Sequence, residues 1–341
     1  MTLVGLSLLF VILSYGKFIL MPLAFAAFLS MLLSPIVNKL EQWKLGRAFS
    51  IIITILLVLI VLAGVISLIS AQFVQFAERV PEVTQRLKSV TTDGISFLEE
   101  TVGLSQEQRS NYLEQGLSNV IDKSGSYISS ILSATTSTFT LMSLLPIFIF
   151  FMLYYREMYI RFFQKLFSRD GGTDGIDEVM ENVQEVTQNY LVGMLTVIGI
   201  LAVLNTSGLL IIGLDHAIFF GVFASLMAVI PYIGIIIGAL LPLLFALLLG
   251  DSLLQPVFVI AVFGTVQFLE GNFITPRIVG SKVSINPFMA MLALIVGGEI
   301  WGISGMILFV PLIGILRVIF QEIEELKPYG YLLGNTIEYE E

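Results

Sequence analysis

Between residues 252 and 316 an almost unbroken apolar run carries only four ionisable side chains, Glu270, Arg277, Lys282 and Glu299. Such groups are costly inside a membrane, and where they occur there they usually mark an ion or solute path. Around the first of them the chain reads Gln267-Phe268-Leu269-Glu270-Gly271-Asn272-Phe273-Ile274-Thr275-Pro276-Arg277. Pro276 cannot donate to the carbonyl of Asn272, and Pro287 leaves that of Val283 free. Gly271 and Gly280 loosen the backbone on either side. The stretch therefore reads as a helix that ends in polar, unwound chain. Bare backbone at membrane depth persists only where protein buries it or water lines it, and broken helices of this kind build ion and substrate sites in many transporters. The candidate path residues are Gln267, Glu270, Asn272, Thr275 and Arg277, with Glu299 as a second carboxylate. Arg277 is the expected electrostatic partner of Glu270. The same two residues also suit a plain ion pair at the cytoplasmic surface, where a span over 252–269 would end.

Other chemistry is largely excluded. His216 is the only histidine and cysteine is absent, so one chain can form neither a two-histidine zinc site nor a thiolate site. Asp215 precedes His216, but adjacent residues point apart on a helix, and the pair reads as a polar turn between spans. No G-x-x-x-x-G-K-[ST] run occurs to cradle the phosphates of ATP. No catalytic residue, metal or cofactor is expected, and uphill movement would draw on an ion gradient. A net charge of −9 argues against nucleic acid as a partner.

The scaffold for these residues must be solvated by lipid. Of 341 residues, 56% are hydrophobic and 13% charged, against about 25% charged in a soluble domain. Runs without charge cover residues 1–16, 18–38, 48–77, 124–155, 186–214, 217–250, 252–269, 283–298 and 300–316. A crossing helix needs roughly 20 apolar residues. The expected fold is thus an all-α, polytopic helical membrane protein of about eight segments, some short or broken by Pro and Gly, with the lipid bilayer as its first partner. Residues 1–16 and 18–38 suit a hairpin or one kinked span. Ala24-Phe25-Ala26 resembles a leader cleavage site, but no basic region precedes it, and a retained segment is the better reading. Pro231, Gly234, Pro242, Gly271, Pro276 and Pro287 are the expected breaks or hinges. Gly234 with Gly238, and Gly298 with Gly302 and Gly305, have the small-residue spacing that lets helices pack closely.

The regions expected are N-terminal membrane segments over 1–77, an extramembrane helical insert and entry to the next span over 78–138, a span over 139–155, a cytoplasmic connector over 156–185, a C-terminal membrane core over 186–320 and an acidic cytoplasmic tail over 321–341. Lys39, Lys44 and Arg47 in one short loop, and Arg156, Arg161, Lys165 and Arg169 at a later boundary, set both on the cytoplasmic side. Reporter fusions are accordingly expected to read cytoplasmic within 39–47 and after Lys327, and extracytoplasmic after Leu104. An inside signal at Leu104 overturns this orientation.

One order of motifs is specific as a set. Ile230-Pro231-Tyr232-Ile233-Gly234 with Gly238 and Pro242 is followed by Gln267, Glu270-Gly271-Asn272, Thr275-Pro276-Arg277 and Gly280, then by Pro287, Gly297-Gly298, Gly302, Gly305 and Pro311. With Pro146, Tyr154, Tyr190, Gly193 and Gly213-Leu214 upstream, the chain resembles the autoinducer-2 exporter family of bacterial membrane proteins over nearly its whole length. That resemblance implies about eight membrane segments, a bacterial inner-membrane location and a homo-oligomer, while Arg317 and Lys327 put the C-terminus on the cytoplasmic side. It also implies export of the small signal autoinducer-2 or exchange of sodium or lithium for protons. Three departures stand out: Asn286 where the family often has histidine before the proline, Glu299 at a position usually small or apolar, and Arg156-Glu157 where an aspartate commonly ends the fourth span. Secondary transport of a small polar solute or a monovalent cation is thus the expected function. The alternative is a membrane scaffold that binds a partner through residues 78–123.

Overall fold

The computed structural model describes residues 2–67, 144–167, 174–230, 233–250, 254–280 and 285–334, with residues 70 and 252. The insert at 78–123, Pro231 and Lys282 lie outside the described residues. The chain runs α1 (Thr2–Tyr15), α2 (Lys17–Gln42), α3 (Arg47–Ser67), α4 (Leu144–Tyr154), α5 (Arg156–Phe167), α6 (Asp174–Ile211), α7 (Ala217–Met227), α8 (Ile233–Leu249), α9 (Gln255–Leu269, wound on to Val279), α10 (Pro287–Trp301), α11 (Ile303–Glu322) and α12 (Lys327–Leu333). The sole extended pairing among the described residues is one bridge between Ile285 and Gly334. Five helices, α2, α3, α6, α9 and α11, are long and apolar enough to cross a membrane, and α4, α7, α8 and α10 are shorter apolar helices. The protein is a polytopic helical membrane protein.

Of the two forms open for the N-terminal segments, the kinked one is found. Gly16 N–H donates to Ile12 (2.8 Å) and Leu20 N–H to Gly16 (2.9 Å), so the ladder continues through the junction. The Leu13 carbonyl at the bend accepts the Trp301 indole N–H at 2.9 Å, which ties the start of the chain to the end of α10. The first layer packs Ala26, Leu33 and Val37 of α2 against Ile51 of α3 and Ile149 and Leu153 of α4. Lipid is as apolar as these side chains, so close packing more than water exclusion holds such helices together.

α6 is the spine, and glycines fix the register of its neighbours. A Cβ on Gly193 would meet Ile278, one on Gly208 would meet Val262, and one on Gly221 would meet Thr206. α9 therefore descends antiparallel beside α6. The α7–α8 hairpin enters and leaves at the C-terminal end of α6. In it Gly234 stands against the Met227 carbonyl and Gly238 against Ala224. Pro242 does not break α8; it is buried within a continuous helix.

The second glycine set works differently from the expectation. Gly302 is not a packing residue: its φ of +62° makes it the turn that ends α10 and starts α11, a conformation glycine adopts without penalty. The close approach is between Gly297 and Gly305, each of whose backbones occupies the space a Cβ on the other would need. Gly298 faces the Met306 side chain. Pro287 is no hinge either. It is the first residue of α10, where its missing N–H costs nothing, and Asn286 caps the helix by accepting from Phe288 N–H at 2.9 Å. The tail is not wholly solvated: α12 packs on α11, and the Leu333 carbonyl accepts from Asn286 N–H at 2.9 Å.

A proline inside α2 explains one cross-helix bond. Pro35 has no N–H for the carbonyl four residues before it, that of Met31. Gln188 of α6 supplies the donor, Nε2 to O at 2.7 Å. Gln188→Leu is expected to destabilise the protein by about 1–3 kcal/mol, the cost of a buried polar group left unpaired. In a Pro35→Ala background, which restores the helical donor, the same change should cost well under half as much. A thermal-unfolding double-mutant cycle in detergent measures the difference.

Candidate functional site

The site is built on α9. Fifteen residues separate Gln255 from Glu270 and nine separate Glu270 from Val279. At ~1.5 Å per residue, Glu270 lies about 22 Å from one end of this helix and about 13 Å from the other, within an element long and apolar enough to cross a membrane. One turn before it, Val266 is buried against Val197 and Leu201 of α6, so this part of α9 lies along the spine.

The chain does not unwind at Pro276 as the sequence suggests. Residues Glu270–Ile274 and Pro276–Gly280 form π-helix, and α9 runs as one wound element to Val279. Thr275 N–H donates to the Glu270 carbonyl, five residues back. That wider turn gives the backbone ahead of Pro276 partners that an α-helix would deny it, and π-turns inside α-helices occur frequently at functional sites. Asn272 Nδ2 covers the Phe268 carbonyl at 2.9 Å. The helix thus continues through Pro276 with its turn widened, and Asn272 adds a side-chain donor inside it.

This winding decides which side chains meet. Glu270 Oε2 accepts from Gln267 Nε2 at 2.7 Å, and Oε1 accepts from the Thr275 hydroxyl at 2.5 Å. Gln267, Glu270 and Thr275 form one cluster. Arg277 does not join it. Among the described residues it makes no ion pair with Glu270, because seven residues of continuous helix keep the two about two turns apart. Arg277 is exposed and stands 6.0 Å over the Phe273 ring. Glu299 is also exposed, on α10. Half-buried Glu270 is therefore an acidic side chain in an apolar helix, held by two neutral donors. It retains lone pairs that a proton, a cation or a solute hydroxyl can use.

A second polar patch lies between α6 and α7. Asn205 Nδ2 donates to Ser225 Oγ at 3.2 Å, and that hydroxyl donates to the Gly221 carbonyl at 2.7 Å. Asn205 Oδ1 and Thr206 Oγ1 are buried with no hydrogen-bond partner among the described residues. Near the end of α6, buried Gln255 donates to the Gly213 carbonyl at 3.1 Å. Sequence reading passed over these residues because they carry no charge. The signal was present in Asn205-Thr206-Ser207, a polar triplet inside a long apolar run.

On the opposite flank, crossed charges join three elements. Arg47 reaches Glu157 at 3.0 Å and the Leu153 carbonyl at 3.2 Å. Arg156 reaches Glu41 at 2.7 Å and Asn38 at 2.6 Å. The Arg156-Glu157 pair thereby ties the start of α5 to the end of α2 and the start of α3.

Comparison with known proteins bears on all of this. The model of a family described as AI-2E family transporter matches residues 2–325. "Putative transport protein YueF" of Bacillus subtilis is 27% identical over 314 residues, covering 89% of this chain and 84% of its own length. "Putative transport protein YrrI" of the same organism is 27% identical over 313 residues, covering 89% and 86%. "AI-2 transport protein TqsA" of Escherichia coli is 21% identical over 319 residues, covering 93% and 90%.

Proposed function

Because the chain belongs to the AI-2E family of transporters, it is a multi-pass membrane transporter and not an enzyme, and from that premise we propose that it moves a small polar solute of the autoinducer-2 type across the bacterial inner membrane. It does so as a homo-oligomer, with Glu270 in the path. The observation that carries this reading is the Glu270 carboxylate itself, set within a span and held by Gln267 and Thr275 in a π-wound segment beside α6. A polyhydroxylated solute would exchange its own hydroxyls for the Thr275 and Gln267 donors, so the path has hydrogen bonds to offer at the depth where water has none. The name of TqsA, a relative spanning nearly the whole chain, supports the choice of solute.

A second reading rests on the same carboxylate. Glu270 makes no ion pair among the described residues, so the charge of a sodium or lithium ion, or of a proton, is what would neutralise it. Exchange of one for the other at Glu270 is antiport. Purified protein in sealed vesicles, assayed side by side with autoinducer-2, sodium and lithium under an imposed proton gradient, separates the two. Autoinducer-2 flux without cation movement supports the first reading, and gradient-driven sodium or lithium flux supports the second. No flux of any of them overturns both.

A further inference from the structure

Where α4 meets α5, the surface opens into a cleft of about 510 Å³ whose lining includes Arg47, Arg161, Lys165, Glu157, Tyr154 and Phe162. We propose that this cleft binds the phosphate headgroup of an anionic phospholipid in the cytoplasmic leaflet. The inference stands apart from the Glu270 reading and uses none of its residues.

Charge comes first. Three cations line the cleft against one carboxylate. That carboxylate is already engaged, by Arg47 at 3.0 Å and more loosely by Arg161 at 4.0 Å. Arg161 is 75% exposed, and Lys165 is exposed with no ion pair among the described residues. Two cationic heads are thus available to an anion. The choline or ethanolamine group of a zwitterionic lipid has only the occupied Glu157 to meet, so the cleft favours a headgroup with net negative charge.

Depth comes second. α4 is an apolar membrane helix that ends at Tyr154, and exposed Tyr155 and Trp43 lie at the same boundary. Aromatic residues of this kind mark the level of the headgroups. Arg161 and Lys165 lie six and ten residues beyond Tyr155, about 9 and 15 Å along a helix at ~1.5 Å per residue. Helical side chains tilt back toward the N-terminus, here toward the membrane, and long basic ones extend to the interface. Arg161 thereby comes within reach of the layer that holds lipid phosphates, with Lys165 one turn further along the same helix face.

Apolar surface comes third. Met158 and Phe162 are 55% and 56% exposed between the cations. Alternating basic and large apolar side chains is how a helix meets anionic lipid, pairing the phosphate with one set and the acyl chain with the other.

The test is native mass spectrometry of the full-length protein released from mild detergent. It is titrated with phosphatidylglycerol or with phosphatidylcholine of the same acyl chains. Phosphatidylglycerol is expected to bind more tightly, and Arg161→Gln/Lys165→Gln to weaken it on the order of tenfold, given the typical attraction per basic residue near an anionic surface. Both positions are exposed, so neither change threatens the fold. Glu157→Gln should tighten binding. The charge-matched Lys39→Gln/Lys44→Gln, outside the cleft lining, should leave it within about twofold. Equal loss in both double variants would mean general surface attraction and overturns the site, as does equal binding of the two lipids. Glycerol phosphate in solution should not displace the lipid; full displacement would make a soluble phosphate the ligand and overturn the assignment to lipid.

Discussion

In the Glu270→Gln protein, flux of the transported solute is expected to fall by more than about tenfold, equivalent to at least ~1.4 kcal/mol in the rate-limiting step, while yield and assembly stay at the level of the unchanged protein. The geometry makes the substitution a clean probe. Both Glu270 oxygens accept, one from Gln267 Nε2 and one from the Thr275 hydroxyl. A glutamine offers one oxygen and one NH2 group in the same volume. Its oxygen can keep the Gln267 bond. Its NH2 can donate to the Thr275 hydroxyl, which rotates and accepts instead. The cluster stays bonded and only the charge is lost. A transporter that uses Glu270 as a proton or cation acceptor then has nothing to exchange. One that uses it as a strong acceptor for solute hydroxyls has a donor in the way. Thr275→Val complements the test by removing the hydroxyl and keeping the shape, and should reduce flux less. Glu299→Gln, on an exposed face of α10, should leave flux near normal. Full flux in Glu270→Gln with loss in Glu299→Gln would move the path to the other carboxylate.

Gly305→Ala is expected to have the largest effect on stability, a loss of about 1–3 kcal/mol or more of the kind that overpacking produces. A Cβ on Gly305 would be driven into the Gly297 carbonyl and would stand 3.0 Å from Trp301 Cβ. A backbone carbonyl cannot swing aside as a side chain can. Relief requires α10 and α11 to part along their whole contact, and with them the Trp301 bond to the Leu13 carbonyl. The matched control is Gly199→Ala in α6, where a new Cβ meets nothing within 4 Å. There alanine should be neutral or gain up to about 1 kcal/mol from helix propensity. Thermal unfolding in one detergent compares the pair. Equal midpoints for the two variants would show that the α10–α11 contact is not the tight one.

Glu270 was legible in the sequence because charge is scarce there: a lone carboxylate in an apolar run stands out with no knowledge of its partners. The membrane class and the α7–α8 glycine face were legible for a similar reason, since composition and local spacing carry them. The state of the backbone at Pro276 was not. A proline states which hydrogen bond is missing, whereas whether the chain stops there or widens its turn and runs on depends on how the neighbouring turns are wound. The role of Gly302 was hidden for another reason. The spacing of Gly298, Gly302 and Gly305 fits a packing face only if the helix runs through all three, and the turn at Gly302 exchanges Gly298 for Gly297 as the partner of Gly305. Gln188 and Gln255 were invisible because each serves a carbonyl bared elsewhere, by Pro35 in one case and by the end of α6 in the other.

The bond from Gln188 to Met31 also constrains how this protein can change over generations. The order of two substitutions is not interchangeable. If Pro35 is replaced first, the Met31 carbonyl has two donors available, and the intermediate is sound; Gln188 is then released to drift. If Gln188 is replaced first, the lineage must pass through a chain with an orphaned carbonyl at membrane depth, which selection on stability opposes. Descendants that lack both residues will therefore mostly have lost the proline before the glutamine, and glutamine without proline should be the common transitional state among them. A single hydrogen bond thereby acts as a one-way valve on the sequence, linking two residues that lie 157 positions apart in the chain.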